Sequence, residues 1–138
     1  MTEREAQALA DQLRKRFGYF RVLIKAEPLI PNSQLWKITI ANEQGRVVLF
    51  DQSDVARQVT DLFKLTGDPN VPFEERLAKA QEDISYFLVE AGKALEKHGL
   101  DSSQYREAEQ LLQLAQLVAD LLRSEAPRGG IIDLTDVR

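Results

Sequence analysis

Cysteine is absent from this chain, and histidine, methionine and tryptophan occur once each among its 138 residues. Without thiols there are no disulfides, thiolate metal sites, iron–sulfur ligands or cysteine nucleophiles, and the reducing cytoplasm is the compartment that fits. Long apolar runs are also missing. No window approaches the roughly 18 uninterrupted apolar residues of a membrane-spanning helix. Residues 1–16 carry charges throughout, where an export signal has an apolar stretch, so no membrane association is expected. Glycine is scarce where chemistry uses it. The seven glycines form no phosphate loop, dinucleotide fingerprint or nucleophile elbow, and no paired-histidine metal motif or calcium-binding loop is present.

What remains is an ordinary globular mixture, 43% apolar and 29% charged, long enough for one compact domain with its own core. The net charge of −4 is unevenly spread. Residues 1–67 are weakly basic, whereas residues 68–138 are strongly acidic. A basic first half keeps an anionic partner in consideration.

Hydrophobic periodicity orders the chain. Ala6, Leu9, Ala10, Leu13 and Phe17 recur at helical spacing, and Gly18 is the expected stop. From Tyr19 the period becomes two, with Phe20, Val22 and Ile24 on one face and Arg21, Leu23 and Lys25 on the other. Trp36, Ile38 and Ile40 alternate with Lys37, Thr39 and Ala41, and Asn42 to Gly45 turn the chain into a third strand ending at Phe50. Gly45 suits the left-handed position after a type I turn. A helix capped by Ser53 follows, with Val55, Val59, Leu62 and Phe63 inward and Gly67 as its stop. A long helix from about Phe73 to His98 then carries Phe73, Leu77, Ala80, Ile84, Phe87, Ala91 and Ala94. Gly92 beside Ala91 is expected to permit a close helix crossing. The predicted fold is therefore α+β: a three-stranded antiparallel sheet with flanking helices in the order α-β-β-β-α, then an antiparallel helical hairpin and a short tail. Residues 1–67 form the sheet unit, 68–124 the hairpin packed on it as one domain, and 125–138 a flexible tail.

The last helix, capped within Asp101 to Ser103 and reaching about Ser124, is unusual. Tyr105, Ala108, Leu112, Ala115, Ala119 and Leu122 form one stripe, and Leu111, Leu114, Val118 and Leu121 form another beside it. With Leu117 the apolar arc spans roughly 200°, about twice that of an ordinary surface helix. One neighbouring helix cannot cover it; the sheet or a second copy of the chain must supply the rest. In the tail, Pro127 and Gly129-Gly130 precede Ile131, Ile132 and Leu134, an apolar segment expected to dock as a strand, on its own chain or another.

Candidate chemistry is sparse. His98 fits a cation at a helix C-terminus. Glu74, Glu75, Glu82, Asp83, Glu90 and Glu96 fit solvated helix charge, and neither a metal nor a cofactor is expected. The element order over residues 2–67 is similar to that of double-stranded RNA-binding domains, a resemblance that implies phosphate contacts from the second helix. That family opens this helix with lysines and joins its first strands by Gly-Pro-x-His; here Gln52-Ser53-Asp54-Val55-Ala56-Arg57 and Glu27-Pro28-Leu29-Ile30-Pro31 stand instead. Ile131-Ile132-Asp133-Leu134-Thr135-Asp136 resembles a SUMO-interacting peptide, which implies strand addition to a partner.

No pattern advertises a reaction, and an interaction or assembly module ranks ahead of an enzyme. The expected partner is a protein or a second copy, a homo-dimer built through Leu114, Leu117, Val118 and Leu121. A first alternative is nucleic-acid binding on a basic sheet face of Tyr19, Arg21, Lys25, Lys37 and Arg46. A second is a small-molecule pocket between sheet and hairpin.

Overall fold

A computed structural model describes the backbone of residues 1–17, 21–66, 68 and 70–137, and their side chains except 16, 17, 53, 54, 56, 65, 66 and 125–137. The elements follow in the order α1 (Glu3–Phe17), β1 (Leu23–Pro28), β2 (Trp36–Ala41), β3 (Val47–Phe50), α2 (Ser53–Thr66), α3 (Phe73–His98) and α4 (Ser103–Val137). The expected stops at Gly18 and Gly67 and the Ser53 cap lie outside the described residues.

Helix α1 begins with a reciprocal cap. The Glu5 amide donates to the Thr2 hydroxyl at 3.2 Å, and the Thr2 amide donates to the Glu5 carboxylate at 3.0 Å. The Thr2 backbone N–H, then its hydroxyl, hold the Glu5 carboxyl below its ordinary range. A depressed carboxyl favours the folded helix start above the unfolded pKa and loses that contribution as pH falls through the folded value. Protection factors of the first-turn amides of α1, taken relative to intrinsic exchange at each pH, are therefore expected to fall selectively at acid pH, and Glu5→Gln should remove that pH dependence.

The sheet has the order β1-β2-β3 and is antiparallel throughout. Its inner face stacks Ile24, Ile40 and Val48 in one row and Ile38 with Phe50 in the next, all at or below 4% exposure. Gly45 closes the β2–β3 loop at φ 90°, where a side chain would strain the backbone. The Asn42 amide donates to the Arg46 carbonyl at 3.1 Å, and the Arg46 amide returns to the Asn42 side-chain oxygen at 2.8 Å. Strand β1 starts later than the alternation predicts. Arg21 lies at φ 63°, a left-handed turn that breaks the period-two pattern, and pairing begins at Leu23.

Helix α1 packs on β1 and β2, and α4 packs on β3, α2 and α3, so the inner sheet face and α3 sandwich α4. Val55, Val59 and Phe63 of α2 are buried in the same core. Ala80 and Ala91 are the fully buried positions of α3, with Phe73, Leu77, Ile84 and Phe87 partly covered. Ser102 caps α4, its hydroxyl accepting from the Tyr105 amide at 3.1 Å. Gly92 does not mark a helix crossing within the chain: it is exposed, and a Cβ there would meet nothing within 4 Å. Ala91, one residue away, is the position turned toward the core. Gly92→Ala should accordingly stabilise the protein by about 0.5–1 kcal/mol, measurable by urea denaturation.

The backbone of α4 remains helical to Val137, past the end expected near Ser124 and in place of the extended form expected for residues 131–134. Pro127 removes one helix N–H and each glycine costs about 1 kcal/mol of helix propensity, which is why local signals predict a stop there. Side-chain contacts of Ile131, Ile132 and Leu134 lie outside the described residues. Among the described side chains of α4, the last in the core is Leu122.

Candidate interaction surface

The outer face of the sheet is built from the alternate positions of the same strands. Register places Leu23, Ala41 and Val47 in one row, Lys25, Thr39 and Leu49 in the next, and Glu27 beside Lys37 in the third. Every described helix that packs on the sheet contributes to the core built on its inner face. Leu23 is therefore 55% exposed, Val47 62% and Leu49 39%, and Leu35, just before β2, is 57% exposed. Apolar side chains grouped on a water-facing sheet surface are the feature to explain, since isolated exposed leucines are common but clustered ones are not.

The basic residues expected on that face are mostly engaged elsewhere. Arg21 lies in the turn before β1, where its guanidinium faces Glu43 at 3.5 Å. Lys37 sits 4.0 Å from its cross-strand neighbour Glu27. Arg46 is not on the outer face. Its Nε donates to Asp120 on α4 and its Nη1 to Gln116 at 3.1 Å. Lys25 alone of these four has no carboxylate partner among the described residues, and Tyr19 lies outside them.

Arg46, Asn42 and Asp120 instead form a clasp between the β2–β3 loop and α4, with the Asn42 amide 3.4 Å from the Asp120 carboxylate. At the other end of β3, Asp51 accepts from Gln110 at 3.0 Å and faces Arg106 at 3.6 Å. Sequence reading missed Asn42, Gln110 and Asp120; the only signal was polar residues bordering a wide apolar arc. Asp120→Ala removes the carboxylate shared by the Arg46 guanidinium and the buried Asn42 amide, while Arg46 keeps its bond to Gln116. It should cost about 1–2 kcal/mol, less than a buried charge pair because Arg46 is partly solvated, with guanidinium denaturation as the measurement.

Leu114, Leu117, Val118 and Leu121 are all buried inside the single chain, at 2% exposure or less. The wide arc of α4 is covered in cis, by β3 and α2 on one side and α3 on the other. These four residues are packing residues of the monomer and present no surface to a partner.

A groove of about 460 Å³ opens among α2, α3 and α4, with Tyr86, Phe87 and Leu111 among its apolar residues and Lys93, His98 and Glu107 among its polar ones. It contains no sheet residue, unlike the pocket expected between sheet and hairpin. The outer side of α3 also exposes Leu88, Val89 and Leu95. Among the described residues there is no group of three acidic or histidine side chains placed to hold a metal ion, and no helix is long and apolar enough to cross a membrane.

Neither a protein-family model, nor a curated protein, nor a solved structure matches this chain.

Proposed function

We propose that the chain is a non-enzymatic protein-interaction module that presents the outer face of its sheet to a protein partner. The observation supporting this reading is the exposed group Leu23, Val47 and Leu49, aligned by strand register on a face that no described helix covers. Removing that apolar area from water favours association at about 25 cal/mol per Å². Thr39 and Lys25 between the apolar positions supply polar contacts that fix orientation. With Arg21, Lys37 and Arg46 each facing a carboxylate, charge alone does not define this surface.

Affinity purification of the tagged chain, with and without nuclease, tests the proposal. A stoichiometric protein that survives nuclease and is lost when Leu23 and Leu49 are both replaced by threonine is the expected result. Material that disappears with nuclease, or a partner indifferent to the outer-face substitutions, overturns it.

A further inference from the structure

The two edges of the sheet are treated differently. On β1 the Ile24 carbonyl, which points outward, accepts from the Arg14 Nε at 2.9 Å, and α1 packs beside it. The strand also carries Lys25, Glu27 and Pro28, the residue types that discourage strand addition. On β3, although α4 packs against its inner side, the charges, the proline and the side-chain bond to an outward carbonyl are missing. Val47-Val48-Leu49-Phe50 has no charge, no proline and no bulge.

The hydrogen-bond alternation fixes which groups of β3 are open. Asn42 and Arg46 form a bonded pair, so in an antiparallel ladder Val48 and Phe50 bond to β2, while Val47 and Leu49 turn their N–H and C=O groups away from it. These outward groups have no partner among the described residues, and the side chains of Val47 and Leu49 are exposed. The edge is an open template.

We propose that β3 pairs antiparallel with β3 of a second copy, about a two-fold axis at Val48, joining two sheets into one. Under that symmetry Val47 faces Leu49 of the partner and Leu49 faces Val47, and the outward N–H and C=O groups of both residues are satisfied reciprocally. The strand ends favour antiparallel over parallel pairing. Arg46 precedes the strand and Asp51 follows it, each held within its own chain by α4; antiparallel pairing sets the Arg46 end of one strand beside the Asp51 end of the other, one residue out of register, whereas parallel pairing sets like ends against like. Helix α4 runs alongside, with Arg106 near Asp51 and Asp120 near Arg46. The same axis therefore carries the Arg106 end of one α4 toward the Asp120 end of the other. A foreign strand has no reason to carry this matched pattern; a second copy has it by identity. The interface is small, so the association is reversible and concentration-dependent.

The inference concerns the open edge of β3 and goes beyond the outer-face reading above, because edge pairing extends the sheet and leaves Leu23 and the outer face free for another partner. Light scattering of the purified full chain over a concentration series tests it. The mass should rise from 15.7 kDa toward twice that value. Val47→Lys combined with Leu49→Lys puts lysines opposite one another and should weaken association by roughly tenfold or more, with the thermal midpoint unchanged. Val47→Lys combined with Leu49→Glu pairs opposite charges in the antiparallel register alone and should restore it. Three results overturn the inference: a monomer at every concentration, a dimer indifferent to the double lysine variant, or failure of the lysine–glutamate variant to recover. A wild-type monomer whose outer face still captures another protein removes the second copy as occupant and leaves the interaction reading standing. A wild-type monomer that captures none removes both.

Discussion

Leu117→Ala is expected to cost about 3 kcal/mol of folding stability, in the range for buried leucines whose cavity the surroundings only partly fill. Leu117 is fully buried in the same cluster as Leu114, Val118 and Leu121. The effect should be the same at low and high protein concentration, because the cover is intramolecular. Urea denaturation at two concentrations measures it. A folded, fully stable variant with altered oligomeric mass would mean that the arc faces another chain.

The opposite behaviour is expected on the outer sheet face. Leu23→Thr with Leu49→Thr keeps β-forming residues at positions already in water, so stability should change by no more than about 1 kcal/mol. Partner capture should fall by at least roughly tenfold, since clustered apolar residues dominate such interfaces. Thermal melting and affinity purification of the same variant separate the two effects. A large loss of stability with binding retained would make Leu23 and Leu49 packing residues and not contact residues.

The contrast between these variants marks how much was legible in the sequence. Placing α4 at 100° per residue found both apolar stripes and the need for cover on two sides, and period-two alternation assigned Ile24, Ile38 and Ile40 to the core. Amphipathicity measures the width of a face, however, not the identity of what covers it. The arc that suggested a dimer is closed within the chain by β3, α2 and α3. Arg46 shows a second limit. Its neighbours suggest a sheet cation, but its partner Asp120 lies 74 residues away, and no local pattern connects them.

Element boundaries followed the same logic. Arg21 continues the alternating pattern yet occupies a left-handed turn, because backbone geometry at the strand start overrides side-chain period. Gly92 reads as a packing glycine beside Ala91, but one residue is about 100° of helix, enough to turn it from the core to water. The continuation of α4 beyond Ser124 runs through Pro127 and two glycines, the residues that signalled a stop.

The most direct test of the interaction reading is to put a photoreactive amino acid in place of Leu23, or in place of exposed Arg4 on α1, and irradiate the full chain in its own cells. The account predicts a discrete, nuclease-resistant protein adduct from Leu23 and none from Arg4. No adduct from Leu23, equal adducts from both positions, or adducts to nucleic acid would contradict it.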